Sequence, residues 1–86
     1  MPEVSRFLGI IITFNYDDHN PPHFHARYGE YQGIFLIKEL RMSDGNLPKR
    51  VKNIILEWAD EHRNELIEDW NLARLEKPLN KIEPLV

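Results

Sequence analysis

The chain has 86 residues, which suits one domain with one hydrophobic core, and we treat residues 1–86 as a single domain. Hydrophobic residues make up 42% of it and charged residues 29%, which excludes a wholly disordered chain. The absence of cysteine excludes a disulfide scaffold, a thiolate metal site and a cysteine nucleophile. The net charge of −3 argues against a protein that grips nucleic acid over its whole surface.

The longest apolar run, Phe7–Phe14, is far shorter than the roughly 20 residues that span a bilayer. The first three residues, Met1-Pro2-Glu3, lack the basic and apolar regions of a secretory signal. We therefore predict a soluble, cytoplasmic domain that makes no membrane contact.

Three segments in the first half of the chain have the composition of strands. Residues 6–16, RFLGIIITFNY, are apolar on both parities and predict one strand that is covered on both faces. Residues 23–28 and 33–42 predict two more strands, joined by a tight turn over 29–33. Residues 43–46, SDGN, have the chemistry of a turn.

An apolar stripe with spacings of three and four follows Pro48 and predicts one long helix that ends before Pro78. The stripe consists of Val51, Ile55, Trp58, His62, Leu66 and Trp70. The predicted fold is α+β, with a three- or four-stranded antiparallel sheet packed against this one long C-terminal helix. The tail after Pro78 adds an edge strand or lies across the domain.

One helix covers one face of a sheet, yet the first and third predicted strands are apolar on both parities. The second face therefore needs a cover. We expect either the C-terminal segment or another chain there, namely a cognate small protein or a second copy of this one.

Three of the four histidines fall within seven residues, in DDHNPPHFH. On a strand, His23, His25 and Arg27 point to one side, because side chains alternate between the faces of a sheet. Phe24 and the other alternate residues then pack on the helix.

Metal binding is one interpretation of this cluster. Two imidazoles on one strand face can converge on one ion, and carboxylates from the preceding turn can complete a mixed nitrogen and oxygen site for zinc, iron or manganese. The candidate ligands are His19, His23, His25, Asp17 and Asp18. The sequence leads us to expect no cofactor, with a divalent metal as the alternative.

Proton transfer is the second interpretation. His23 and His25 can act as acid and base near neutral pH, and Arg27 can hold a phosphate, which together would suit metal-independent cleavage of a phosphodiester such as RNA. The helix start adds a small basic patch for nucleic acid or phosphate, made of Lys49, Arg50 and Lys52. A third interpretation gives the histidines purely structural hydrogen bonds.

His62 lies in the middle of the apolar stripe and is predicted to face the sheet as a hydrogen-bonded core histidine. We do not expect it to join His23 and His25, because the alternation of the second strand sends those two side chains away from the helix. Trp58 and Trp70 are predicted to be core residues.

Four segments of the chain resemble the bacterial domain-of-unknown-function family DUF4160. They are the opening MPEVSRFLGIIITF, the block DDHNPPHFHARYGEY, the stretch GNLPKRVKNIILEWADEH and the ending NKIEPL. The resemblance covers almost the whole chain, and its most specific part is HNPPHFHARYGEY, which contains His19, His23, His25 and Arg27.

Members of this family are small stand-alone proteins whose genes often lie beside another small gene, an arrangement similar to toxin–antitoxin pairs. The resemblance thus implies one member of a two-protein prokaryotic module that acts by binding its partner, without supplying an activity or catalytic residues. A ribonuclease-like phosphodiesterase and a histidine–carboxylate metal-binding protein are the alternatives.

Overall fold

The computed structural model describes residues 2–85, which form five strands and two helices. They are β1 (Glu3–Phe7), β2 (Ile10–Thr13), β3 (His23–Tyr28), β4 (Tyr31–Leu36), β5 (Arg41–Gly45), α1 (Lys49–Glu61) and α2 (Arg63–Arg74). The strands form one antiparallel sheet in the order β1-β2-β3-β4-β5, so each strand pairs with its neighbour in sequence. The predicted α+β class is confirmed, whereas the predictions of three or four strands and of one long helix are wrong.

The segment predicted as a first strand is a hairpin. Phe7 pairs with Ile10 across a two-residue turn, in which Leu8 and Gly9 have φ angles of 52° and 80°. Positive φ at both central residues is what a type I′ hairpin turn requires. Glycine adopts this conformation readily and leucine rarely, so only Gly9 of the two residues predicts a turn here.

The segment predicted as the third strand also divides, because β4 and β5 are joined by a turn over residues 37–40. The predicted turn residues Tyr31 and Gln32 belong to β4, and residues 43–45 belong to β5 rather than to a turn. Gly45 permits this pairing, since a Cβ atom there would lie 2.4 Å from the carbonyl oxygen of Gln32.

The predicted long helix is interrupted at His62, whose φ and ψ angles are −119° and 26°. The His62 N–H donates to the Ala59 carbonyl at 3.2 Å, which closes α1, and the His62 carbonyl accepts from Leu66 at 2.9 Å, which opens α2. The predicted apolar stripe continues through both helices, and Trp58 and Trp70 are buried as expected. Neither helix in the described range could cross a bilayer.

One face of the sheet packs on the helices. Phe24 and Phe35 are stacked side by side in the core, and Trp58 of α1 meets Phe24 edge to face at 6.0 Å between ring centroids. Full burial of such aromatic side chains provides most of the hydrophobic stabilisation of a small sheet.

The opposite face, which we call the open face, carries His25 and Arg27 in the middle of the sheet. Arg27 lies between Ile11 of β2 and Gln32 of β4, and His25 pairs with Ile34. Both isoleucines are half-buried, and the two polar side chains of β3 separate them. The expected continuous apolar surface is therefore absent from the described part of the sheet.

The C-terminal tail lies along the outer edge of β1, not over the open face. The Ile82 N–H donates to the Val4 carbonyl at 2.8 Å, and Trp58 Nε1 donates to the Glu83 carbonyl at 2.9 Å. Of the two predicted positions of the tail, this one is closer to that of an edge strand, although no described part of the tail forms a strand.

Candidate functional site

The loop between β2 and β3 is docked on α2. The Asp17 N–H donates to the Ala73 carbonyl of α2 at 3.1 Å. In the next residue, Asp18 Oδ1 accepts the backbone N–H of His19 at 2.8 Å. These contacts hold the other oxygen of Asp18, Oδ2, against the start of β3.

His23 has a partner at each ring nitrogen. Nδ1 lies 2.8 Å from the Pro21 carbonyl, and Nε2 lies 2.9 Å from Asp18 Oδ2. A carbonyl oxygen only accepts, so Nδ1 carries a proton. The contact between Nε2 and the carboxylate of Asp18 is a hydrogen bond, so both ring nitrogens of His23 are held in place.

The ring of His23 also lies against Trp70 of α2, with 5.1 Å between centroids. Trp70 is 3% exposed and belongs to the hydrophobic core. A buried indole on one side of an imidazole restricts its rotation, so Trp70 fixes the direction in which Nε2 points.

His25 completes the cluster from the same strand face. Its Nε2 lies 3.6 Å from Asp18 Oδ2 and 3.3 Å from Asn15 Nδ2, and its ring centroid is 5.3 Å from that of His23. An amide N–H only donates, so Asn15 gives His25 Nε2 the role of acceptor.

The electrostatics of the cluster follow from this packing. Burial lowers the pKa of His25, and the neighbouring His23 lowers it further, against the smaller opposite effect of Asp18. Burial would raise the pKa of Asp18, but the His19 N–H and the two histidines outweigh it, so that pKa is lowered. A neutral imidazole thus lies beside an ionised carboxylate.

Of the five predicted metal ligands, the structure brings three together. Ligand atoms of Asp18, His23 and His25 all lie within 4.8 Å of one another, and they are the one such group within residues 2–85. Asp17 and His19 are exposed and lie outside it. The name metal cluster is used below for Asp18, His23 and His25.

Arg27 follows His25 on the open face and is exposed. Both residues line a cavity of about 210 Å³. On its other side, His25 lines a second cavity of about 440 Å³, whose wall includes Asp44 of β5. His23, His25 and Arg27 thus alternate along one strand face as predicted, with His25 next to both of the others and His23 outside the cavity that Arg27 lines.

The predicted basic patch lies elsewhere. Arg50 lines a concavity with Leu8 and Tyr28 on the helix-covered side of the sheet, and the metal cluster contributes nothing to that concavity. Lys49 and Lys52 lie on the same first turn of α1. The structure does not bring this patch to the histidines.

His62 stays away from the metal cluster, as the alternation of β3 predicts. Its Nδ1 lies 2.6 Å from Glu65 Oε1, and its ring packs on Trp58 at 5.4 Å between centroids. These contacts agree with the expectation of a histidine that packs on the core and has one hydrogen-bonded partner. Its expected place in the middle of a helix is wrong, because it forms the junction between α1 and α2.

Sequence reasoning missed Asn15 and Trp70 as neighbours of the cluster. The position of Trp70 in the apolar stripe predicts a core residue, and Trp70 is buried in the core as well as packed on His23. Asn15 carried the signal of a loop residue, and only the return of the loop over β3 places its amide near His25.

The chain matches the domain of unknown function DUF4160 over residues 9–71, which include the whole metal cluster and Arg27. It is a member of that family. No curated protein and no solved structure matches the chain. The family resemblance seen in the sequence is confirmed, whereas the paired-gene arrangement stays a prediction.

Proposed function

We propose that this DUF4160 protein binds a divalent transition-metal ion, of which zinc is the first candidate, at Asp18, His23 and His25. The observation that carries the proposal is the convergence of three ligand atoms from a loop and a strand. Two imidazoles and a carboxylate are the ligand set that zinc, iron(II) and manganese accept.

The spacing of these atoms suits an ion. With bonds of about 2.0–2.1 Å, the ligand atoms of a tetrahedral zinc site lie roughly 3.3 Å apart. Asp18 Oδ2 is 2.9 Å from His23 Nε2 and 3.6 Å from His25 Nε2, so both separations lie within a few tenths of an ångström of that value. Small rotations of the side chains would therefore complete the geometry.

The outer contacts support the same assignment. A metal-bound histidine usually donates its other ring N–H to a carbonyl or carboxylate, which fixes its tautomer. The bond from His23 Nδ1 to the Pro21 carbonyl has this form. A histidine binds a metal ion only through an unprotonated nitrogen, so protons compete with the ion and binding weakens as the pH falls.

Three protein ligands would leave the ion with at least one open coordination position. Structural zinc sites are usually closed by four protein ligands, whereas catalytic sites keep a position for water or substrate. The side chains of His23 and His25 are 12% and 24% exposed, and His25 borders two cavities. The proposed site is therefore of the open type.

Isothermal titration of untagged, chelator-treated protein with zinc tests the proposal, with elemental analysis of the protein as purified. We expect one ion per chain and loss of binding in His25→Ala. His19→Ala is the matched control, because His19 lies in the same loop region outside the cluster and should keep the affinity. Equal affinity in the two variants, or no binding by the parent protein, contradicts the proposal.

A second candidate is metal-independent acid–base catalysis on a phosphodiester. The observation that favours it is the closeness of two imidazoles, with 5.3 Å between the ring centroids of His23 and His25. Burial lowers the pKa of His25, which suits that residue to the role of base. Cleavage of a fluorescent RNA oligonucleotide by chelator-treated protein tests it. Activity that persists without metal and disappears in His23→Ala supports this candidate against the first.

Binding to a cognate small protein, as in a toxin–antitoxin-like module, is a separate proposal that follows from the family resemblance. The sheet supports this proposal less than the sequence does, because polar side chains separate Ile11 and Ile34 on the face where an apolar surface for a partner was expected. Co-expression with the product of the neighbouring gene, followed by size-exclusion chromatography, tests it. A chain that elutes unchanged with that product present contradicts it.

A further inference from the structure

The 210 Å³ cavity on the open face lies directly beside the metal cluster. His25 belongs to its wall, and Arg27 lies two residues further along β3. Thr13 and Gln32, on the two neighbouring strands, add a hydroxyl and an amide. The wall therefore offers several hydrogen-bond donors on the sheet face that carries His25.

The charge in this cavity is positive in balance. Arg6 and Glu3 both line it, but Arg6 donates to the two carboxylate oxygens of Glu3 at 3.0 and 2.8 Å, so the two charges compensate each other. The Arg27 guanidinium forms no ion pair with any side chain of the described residues. One cation on the cavity wall thus has no anion opposite it.

We propose that this cavity binds the phosphate group of a small phosphate ester, with one oxygen on the bound metal and another accepting from Arg27. The inference rests on the proposed function, because the open coordination position supplies half of the contact. A guanidinium holds phosphate oxygens in a bidentate fork, and a divalent ion neutralises the remaining charge.

The distances on the strand agree with a bridging anion. Residues two apart on one strand face have Cα atoms roughly 6.5–7 Å apart. The long side chain of Arg27 can cover most of that separation, so a phosphate with one oxygen on an ion held by His25 can accept from Arg27 through another oxygen. The volume of 210 Å³ is below the roughly 300 Å³ at which pockets for larger ligands begin, which favours one phosphate with a small substituent over a long ligand.

Isothermal titration of the zinc-loaded protein with phenyl phosphate tests the inference. We expect saturable binding that weakens by about tenfold or more in Arg27→Ala, since the variant loses a charged hydrogen-bond donor to the phosphate. Arg41→Ala is the matched control, because Arg41 is an exposed arginine on the same sheet face outside the cavity. It should bind like the parent protein.

Zinc titration of the same variants separates this inference from the proposed function. Unchanged zinc affinity in Arg27→Ala together with weakened phenyl phosphate binding supports both. Equal phenyl phosphate binding in the Arg27→Ala and Arg41→Ala variants, or none by the zinc-loaded parent, overturns the inference while the metal site stands. Failure of zinc itself to bind overturns the proposed function, and with it the metal half of the contact. A short single-stranded RNA that binds where phenyl phosphate does not overturns the assignment to a small ester.

Discussion

Two histidines of this protein have closely similar neighbours. His62 contacts the carboxylate of Glu65 at 2.6 Å and packs on Trp58. His23 contacts a carboxylate, that of Asp18, at 2.9 Å and packs on Trp70. Each therefore combines an imidazole, a carboxylate and a buried indole, yet we assign a site only to the second.

The difference lies in where the carboxylate comes from and how many further ligands converge. Glu65 is three residues from His62 and its side chain is 51% exposed, so their pairing is a short-range contact at a helix start, of the kind that neighbouring positions make by default. Asp18 lies five residues before His23 in the loop that leads into β3, is 19% exposed, and also approaches His25. Holding three partly buried polar side chains against one another costs chain and side-chain entropy, so their convergence is the more informative observation.

Removing an indole tests the role of the helix junction and has the largest expected effect. Trp58 is fully buried and contacts Phe7, Phe24 and the carbonyl of Glu83. We expect Trp58→Ala to lower the free energy of unfolding by about 3–5 kcal/mol, measured by urea denaturation. His62→Ala should cost about 1 kcal/mol or less, because its carboxylate partner is largely exposed.

A small domain can fail to fold after such a truncation, so Trp58→Phe provides a second measurement. It should fold, with a smaller loss of stability than the alanine variant shows. If His62→Ala is as destabilising as Trp58→Ala, the helix junction depends on the histidine and the comparison drawn above is wrong.

Neutralising the two carboxylates tests the metal site most directly. Asp18→Asn removes a proposed ligand. Loss of a group that only hydrogen-bonds to a ligand lowers metal affinity roughly 10–100-fold, so we expect the zinc affinity of this variant to fall by more than that. Glu65→Gln makes the same chemical change in the helix pair and should leave zinc affinity within about twofold. Isothermal titration measures both. Comparable losses in the two variants would show that zinc binds without the metal cluster.

A buried carboxyl beside Trp70 gives a prediction about pH. Asp69 is fully buried, its Oδ1 accepts from the Asn80 N–H at 2.9 Å, and its Oδ2 has no hydrogen-bond partner in the described residues. Burial raises the pKa of Asp69; the Asn80 N–H opposes this, and Glu68 and Glu65 add to it. The folded protein therefore holds this proton at pH values where the unfolded chain has released it.

The sign of the effect follows from proton linkage. A raised folded-state pKa makes the parent protein lose stability as the pH rises from the usual aspartate value through that pKa. Asp69→Asn keeps the acceptor for Asn80 and does not titrate, so its stability relative to the parent should increase as the pH rises above about 4, the usual aspartate value. Urea midpoints measure this difference. Asp60→Asn, at an exposed position, is the control. If the stability of Asp69→Asn relative to the parent changes as little with pH as that of Asp60→Asn, the raised pKa of Asp69 is contradicted.

The sequence predicts much of the helix layer and part of the site. The stripe from Val51 to Trp70 reports burial reliably, because a helix must bury one face, and alternation on β3 correctly places His23 and His25 together. The turn at Leu8 escapes prediction because leucine is a poor residue for positive φ.

Long-range docking explains what else is missed. The choice of Asp18 over Asp17 and His19 depends on the bond between the Asp17 N–H and Ala73, a contact between residues far apart in the chain. The nearness of Trp70 to His23 depends on the same packing of the loop on α2. Periodicity within one element carries no information about such a contact between elements.

The smallest expected effect concerns the coupling between each histidine and its carboxylate. In double-mutant cycles with alanine, measured by urea denaturation of metal-free protein, His62 and Glu65 should couple by at most about 0.5 kcal/mol, because exposed helix pairs are weakened by solvent and side-chain entropy. His23 and Asp18 are mostly buried and should couple by more than about 1 kcal/mol. Equal coupling energies would mean that burial does not strengthen the interaction between His23 and Asp18. The two groups would then lie close together because the loop packs there, not because they attract each other.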